Sequence, residues 1–126
     1  MNIRSIQASD LNCLKKIHEE FYKDEFEFPD FLTNFLGAFT VTDENDKIVL
    51  SGGIRTIVEI IAITDKNRDS IERQVALYKL LDASEFVARK SNYNQIHAFV
   101  QDEKWARRLK KSKFEPIVGD GLVLKL

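Results

Sequence analysis

The chain has a single cysteine, Cys13, in 126 residues. No internal disulfide can form, and a reducing compartment suits such a protein. Proline and glycine are scarce, at two and five residues. That excludes collagen-like and low-complexity architectures. No apolar run approaches the ~20 residues that cross a bilayer, so membrane insertion is not expected. The opening residues, MNIRSIQASD, lack the apolar core of a signal peptide. Secretion is therefore not expected, and the cytoplasm is the expected location. An excess of one charge is missing too. The formal net charge is −1, with 19 basic and 20 acidic side chains. A globally basic nucleic-acid binder is excluded on that ground. The two histidines, His18 and His97, have no metal-ligand spacing and no second cysteine beside them, so no zinc site is expected.

What is present suits one ordinary folded domain over residues 1–126. Residues 2–6 read as a first strand. Ser9 or Asp10 can cap a helix that places Leu11, Leu14, Ile17 and Phe21 on one face. Cys13 falls in that pattern and is expected to be a small buried residue. After Pro29, Phe31, Leu32, Phe35 and Leu36 suggest a second short helix. Residues 37–42 and 47–50 read as a hairpin about the polar turn 43–46. Gly52-Gly53 suits either a turn or a bulge in a longer strand.

Residues 56–63 form a nearly continuous β-branched run, the pattern of a central strand covered on both faces. Residues 70–90 are the longest helix, with Ile71, Val75, Leu77, Leu80, Leu81, Phe86 and Val87 on a broad apolar face. A strand at 94–100, a basic helix at 102–111, and strands at 114–118 and 122–126 about Gly119-Asp120-Gly121 complete the pattern. The expected order is β-α-α-β-β-β-α-β-α-β-β, a mixed α/β sheet covered by helices.

This order, with the element lengths and overall size, resembles the GNAT superfamily of N-acetyltransferases across the whole chain. The resemblance implies a GNAT-like mixed central β-sheet and acetyl-CoA as the acyl donor. It also implies that strand residues including Ile61, Ala62 and Ile63 pair with the pantetheine arm. Arg68, Ser70, Ile71 and Arg73, at the loop and helix start, stand where the family holds the pyrophosphate. A helix N-terminus offers free N–H groups for that purpose. The closing segment 102–114 is similar to the family's last helix and Gly-Phe strand start, with Lys113-Phe114 in the Gly-Phe place.

The chain departs from the family at two points. Its loop has Ile71 and Arg73 where small residues let a phosphate approach. Asp69 and Glu72 would face the phosphates and also offset the helix dipole. Leu109 stands where the family often has a thiolate-protonating Tyr.

Glu59, set among Ile57, Val58, Ile60 and Ile61, is the candidate general base, since apolar neighbours raise a carboxyl pKa. It could equally pair with Arg55. Residues 19–31 alternate acids with aromatics, a composition that attracts a cationic amine. The resemblance sets this segment beside the acceptor site, with Tyr22, Glu25 and Phe28 as candidate contacts. The same pattern also describes a helix with aromatics in the core and acids in water. His97 on a strand and Trp105 among Lys104, Arg107, Arg108, Lys110 and Lys111 read first as structural. Two functions are therefore expected as alternatives. One is acetyl transfer from acetyl-CoA to a small-molecule or protein amine. The other is a catalytically inactive binding or assembly module. Sheet-edge pairing into a homodimer is compatible with either.

Overall fold

Strand β1 (Asn2–Ser5) pairs antiparallel with β2 (Phe35–Thr42), which pairs antiparallel with β3 (Ile48–Arg55). A 3-10 turn (Ala8–Asp10) leads from β1 into helix α1 (Leu11–Phe21). Two further helices follow, α2 (Ser70–Lys90) and α3 (Glu103–Lys111). These elements come from a computed structural model that describes residues 1–117 and 119–126. The chain divides into two compact units, Met1–Val58 and Glu59–Leu126.

In the first unit the hairpin β2–β3 closes where the polar turn was expected. Asp43 caps it, its Oδ1 accepting from the amides of Asn45 and Lys47 at 2.9 Å each. Asp46 takes a positive φ of 60°, a conformation that Asp tolerates better than most side chains. Gly52 and Gly53 lie inside β3, so the strand runs through them to Arg55. Pairing is shifted between Phe35 and Gly37, and a Cβ at Gly53 would lie 2.1 Å from the Gly37 carbonyl oxygen. Only glycine lets the two backbones come this close.

Thr40 and Thr42 are fully buried, and Thr40 shares a 2.8 Å hydrogen bond with Ser51 across the pair. Arg4, paired with Thr40 in the sheet, donates through two nitrogens to Asp10, at 2.7 and 2.8 Å. Asp10 also accepts from the Gln7 amide at 2.8 Å. The bidentate bond from Arg4 is the main cause that lowers the Asp10 pKa to about 2. A carboxylate with a lowered folded pKa stabilises the fold above its unfolded pKa, and that contribution fades as pH falls through the folded one. Asp10→Asn is therefore expected to cost about 2 kcal/mol at neutral pH. The deficit against wild type should shrink between about pH 4 and pH 2. Paired urea titrations at several pH values check this, and a pH-independent deficit would refute it.

In the second unit Asp69 caps α2, its Oδ1 accepting from Ile71 N at 2.7 Å and Glu72 N at 3.0 Å. Leu77, Leu81 and Ala88 are its buried stripe, at i, i+4 and i+11, narrower than the face expected. Ile71, Val75, Phe86 and Val87 are exposed. Asp102 caps α3 through the Lys104 amide at 2.8 Å. Both helices end in the same backbone turn. Asn92 (φ 63°) and Lys113 (φ 70°) are left-handed. Tyr93 N then donates to Ala88 O, and Phe114 N to Leu109 O, both at 3.0 Å. This is the Schellman closure, usually built on glycine. Leu77, Leu81 and Leu109 form the core, with Ile60, Ala98, Trp105 and Phe114 packed against it.

The eleven-element GNAT-like order is not what the chain adopts. The described residues hold three helices and one three-stranded antiparallel sheet, not a mixed central sheet. The short helix expected after Pro29 is absent. Asn34 takes φ 61°, and Phe35 is already paired with Arg55 in the sheet. The run 56–63 and the segment 94–100 meet at one parallel bridge, Glu59 to His97. β-Branched residues favour extended backbone, but a strand also needs a ladder of partners. Ile61 and Ile63 have none and are 73 % and 100 % exposed. Residues 114–117 and 122–126 are irregular, and Val118, in the first of those expected strands, lies outside the described residues. Cys13 is exposed, not buried, because the buried stripe of α1 is Leu14 alone.

Candidate functional site

The bridge fixes where residues 59–64 go. Ile60 N donates to His97 O at 2.9 Å, and beyond this bond the two extended segments share no further bridge. Among the described residues, residues 61–63 therefore pair with no neighbouring strand. These residues line a cleft of about 780 Å³ together with Arg68, Ile71 and Arg73. Six of the seven residues predicted to bind a cofactor are therefore gathered around one cleft. Ser70, at the first position of α2, is exposed and outside it.

The electrostatics of this cleft divide in two. At the helix start the charges satisfy one another. Asp69 occupies the Ile71 and Glu72 amides, and Arg68 Nε lies 2.9 Å from Glu72. The N–H groups expected to meet a phosphate are already bound to a carboxylate. One turn further on, Arg73 makes no ion pair among the described residues, and its Nε is buried without a hydrogen-bond partner. An unpaired buried donor is costly, so the Arg73 Nε leaves a demand for an acceptor unmet among the described residues. Ile71 lines the cleft and is 73 % exposed.

Glu59 is exposed, so the apolar enclosure expected of it is absent. It sits opposite His97 in the parallel bridge, which sets both side chains on one face. The His97 ring lies 6.5 Å from that of Phe99, nearly parallel, and its Nδ1 is buried without a partner. His97 lines a second cleft of about 930 Å³, bordered by Tyr93, Lys110 and Lys113.

Tyr22, Glu25 and Phe28 belong to the first unit. Tyr22 and Phe28 lie on a chain of aromatic contacts, and Glu25 N donates to the Tyr22 carbonyl at 2.9 Å. Tyr22 meets Phe26 at 5.3 Å, His18 meets Phe26 at 5.3 Å and Phe28 at 5.6 Å, and Phe28 meets Phe31 at 5.8 Å. His18 Nε2 donates to the Phe26 carbonyl at 2.6 Å. Lys15 already stands over the Phe28 ring, 6.0 Å from its centroid. The cation that these rings attract is thus in part the chain's own.

Sequence reasoning missed the capping role of Asp69 and the places of Lys79 and Trp105 on the cleft wall. The first had a signal, since Asp69-Ser70-Ile71-Glu72 is spaced as a helix-start box. Among the described residues no helix is long and apolar enough to cross a membrane, and no cluster of His, Cys, Asp or Glu could hold a metal ion. No protein-family model matches the chain, and no curated protein matches it.

Proposed function

We propose that the second unit binds acetyl-CoA in the cleft walled by residues 61–63 and α2, and that the chain transfers the acetyl group to an amine. The observation that carries this reading is the convergence of Ile61, Ala62, Ile63, Arg68, Ile71 and Arg73 on one cleft. The unbridged backbone of residues 61–63 suits an amide-bearing arm, which needs alternating donors and acceptors. Arg73, whose Nε has no hydrogen-bond partner among the described residues, suits an anionic phosphate. Phosphate recognition then rests on side chains, because Asp69 holds the first-turn amides. The donor supplies the acetyl thioester. Glu59, on the same face as His97, takes the proton that the ammonium acceptor gives up. The neutral amine then attacks the thioester carbonyl, the C–S bond breaks, and CoA leaves as the thiolate, which takes up the second amine proton. Positioning along the cleft accounts for most of the remaining rate.

The capped helix start favours a second reading, a binding module without acetyl transfer. Asp69 and Glu72 oppose a pyrophosphate placed there. Calorimetric titration with acetyl-CoA separates the two, with ATP as control. Selective micromolar binding supports the first reading, and no binding at millimolar ligand sinks it. Asp69→Ser keeps a capping hydroxyl and removes the charge. It is expected to tighten acetyl-CoA binding by about three- to tenfold, the size of one screened like-charge contact. An unchanged or weaker affinity would show that no phosphate lies at this helix start.

A further inference from the structure

We propose that the cleft takes a nucleotide-bearing ligand, its purine against Trp105 and a ribose phosphate held by the cations of α3; this rests on the acetyl-CoA reading and names the part of the ligand recognised at that end. Trp105 is the only tryptophan in the chain. It is partly buried, packed against the core formed by Leu77, Leu81 and Leu109, and it also forms part of the cleft wall. A ring held by a core on one part and facing a cleft with another is a ready stacking surface for a base.

The charge around it is unspent. Lys104 precedes Trp105 and Arg108 follows it by three residues, which sets Arg108 beside it on the helix surface. Neither takes part in an ion pair among the described residues. Lys79 of α2 adds a third cation on the cleft wall itself. The amide at the start of α3 is taken by Asp102, so side chains and not backbone must meet an anion here. A cleft of about 780 Å³ is the size that holds one small molecule. That favours a mononucleotide end over a nucleic-acid strand, as does the nearly neutral chain.

Trp105 supplies its own readout. Its fluorescence is followed while the protein is titrated with acetyl-CoA, acetyl-3′-dephospho-CoA and acetyl-pantetheine. Quenching is expected with the first two, through stacking, and not with the third. Loss of the 3′-phosphate is expected to weaken binding about tenfold, the worth of one charge-assisted contact. The Lys104→Glu/Arg108→Glu pair should lower acetyl-CoA affinity to the level of the dephospho compound and leave the latter unchanged. Trp105→Phe, followed by calorimetry, should weaken both nucleotide forms by a similar factor and acetyl-pantetheine hardly at all. Equal affinity for all three ligands, without quenching, would overturn the inference and leave the acetyl-CoA reading standing. Absence of binding by any of them would overturn both.

Discussion

Gly53→Ala is expected to destabilise the protein by about 3 kcal/mol, the upper end of the overpacking range. The added methyl would lie 2.1 Å from the Gly37 carbonyl oxygen and 2.8 Å from Ala38 Cα. Both are backbone atoms, so no side-chain rotation relieves the clash. The strands must part, and the ladder that pairs Ala38 with Gly53 and Gly37 with Ile54 would weaken. Gly52→Ala is the internal control, because a Cβ there meets nothing within 4 Å. Urea midpoints of the two variants should differ clearly. Equal midpoints would mean that the sheet absorbs the methyl and that the close approach is not required.

Glu59→Gln is expected to lower the rate of acetyl transfer about a hundredfold with acceptor affinity little changed, the usual loss when a general base is removed. The substitution keeps the size of the side chain. Its backbone partner is unaffected, since the bridge runs through Ile60 N and His97 O. Any loss is therefore chemical and not structural. The measurement is steady-state kinetics on a confirmed amine from about pH 6 to 9, where an ammonium acceptor must lose its proton. An unchanged rate across that range removes Glu59 from the mechanism. A loss that appears only in KM would make it a contact for the cationic acceptor instead.

The legible parts of this chain are those decided by neighbours in sequence. The spans of α2 and α3 followed from their periodic apolar residues. The β2–β3 hairpin followed from Asp43 and its polar turn. The residues now found around the cleft were named through the resemblance to the GNAT superfamily and not through any local pattern. What stayed hidden depends on partners distant in sequence. Residues 56–63 have the composition of a central strand, yet strand formation needs a ladder of partners, and the run forms a single bridge, Glu59 to His97. Phe31 and Phe35 sit four apart as helical neighbours do, but Asn34 turns left-handed between them. Their rings still meet at 5.3 Å. Apolar spacing can thus report a contact correctly and the element wrongly. The capping carboxylate of Asp69 was visible as an acid near a phosphate site. Its hydrogen bonds to Ile71 and Glu72 were not, since an acid in a first turn can face solvent equally well.

The order of the strands bears on how the first unit comes together in time. β2 and β3 are joined by a turn of a few residues, so their pairing closes a short loop and proceeds on the microsecond scale typical of hairpins. β1 meets β2 through a register that sets Asn2 opposite Thr42, and that closure spans most of the unit. The expected sequence of events is hairpin first and β1 last. The Arg4–Asp10 clasp then belongs to the final step. Its loss should act mainly by speeding unfolding, whereas a damaged turn at Asp43 should slow folding itself.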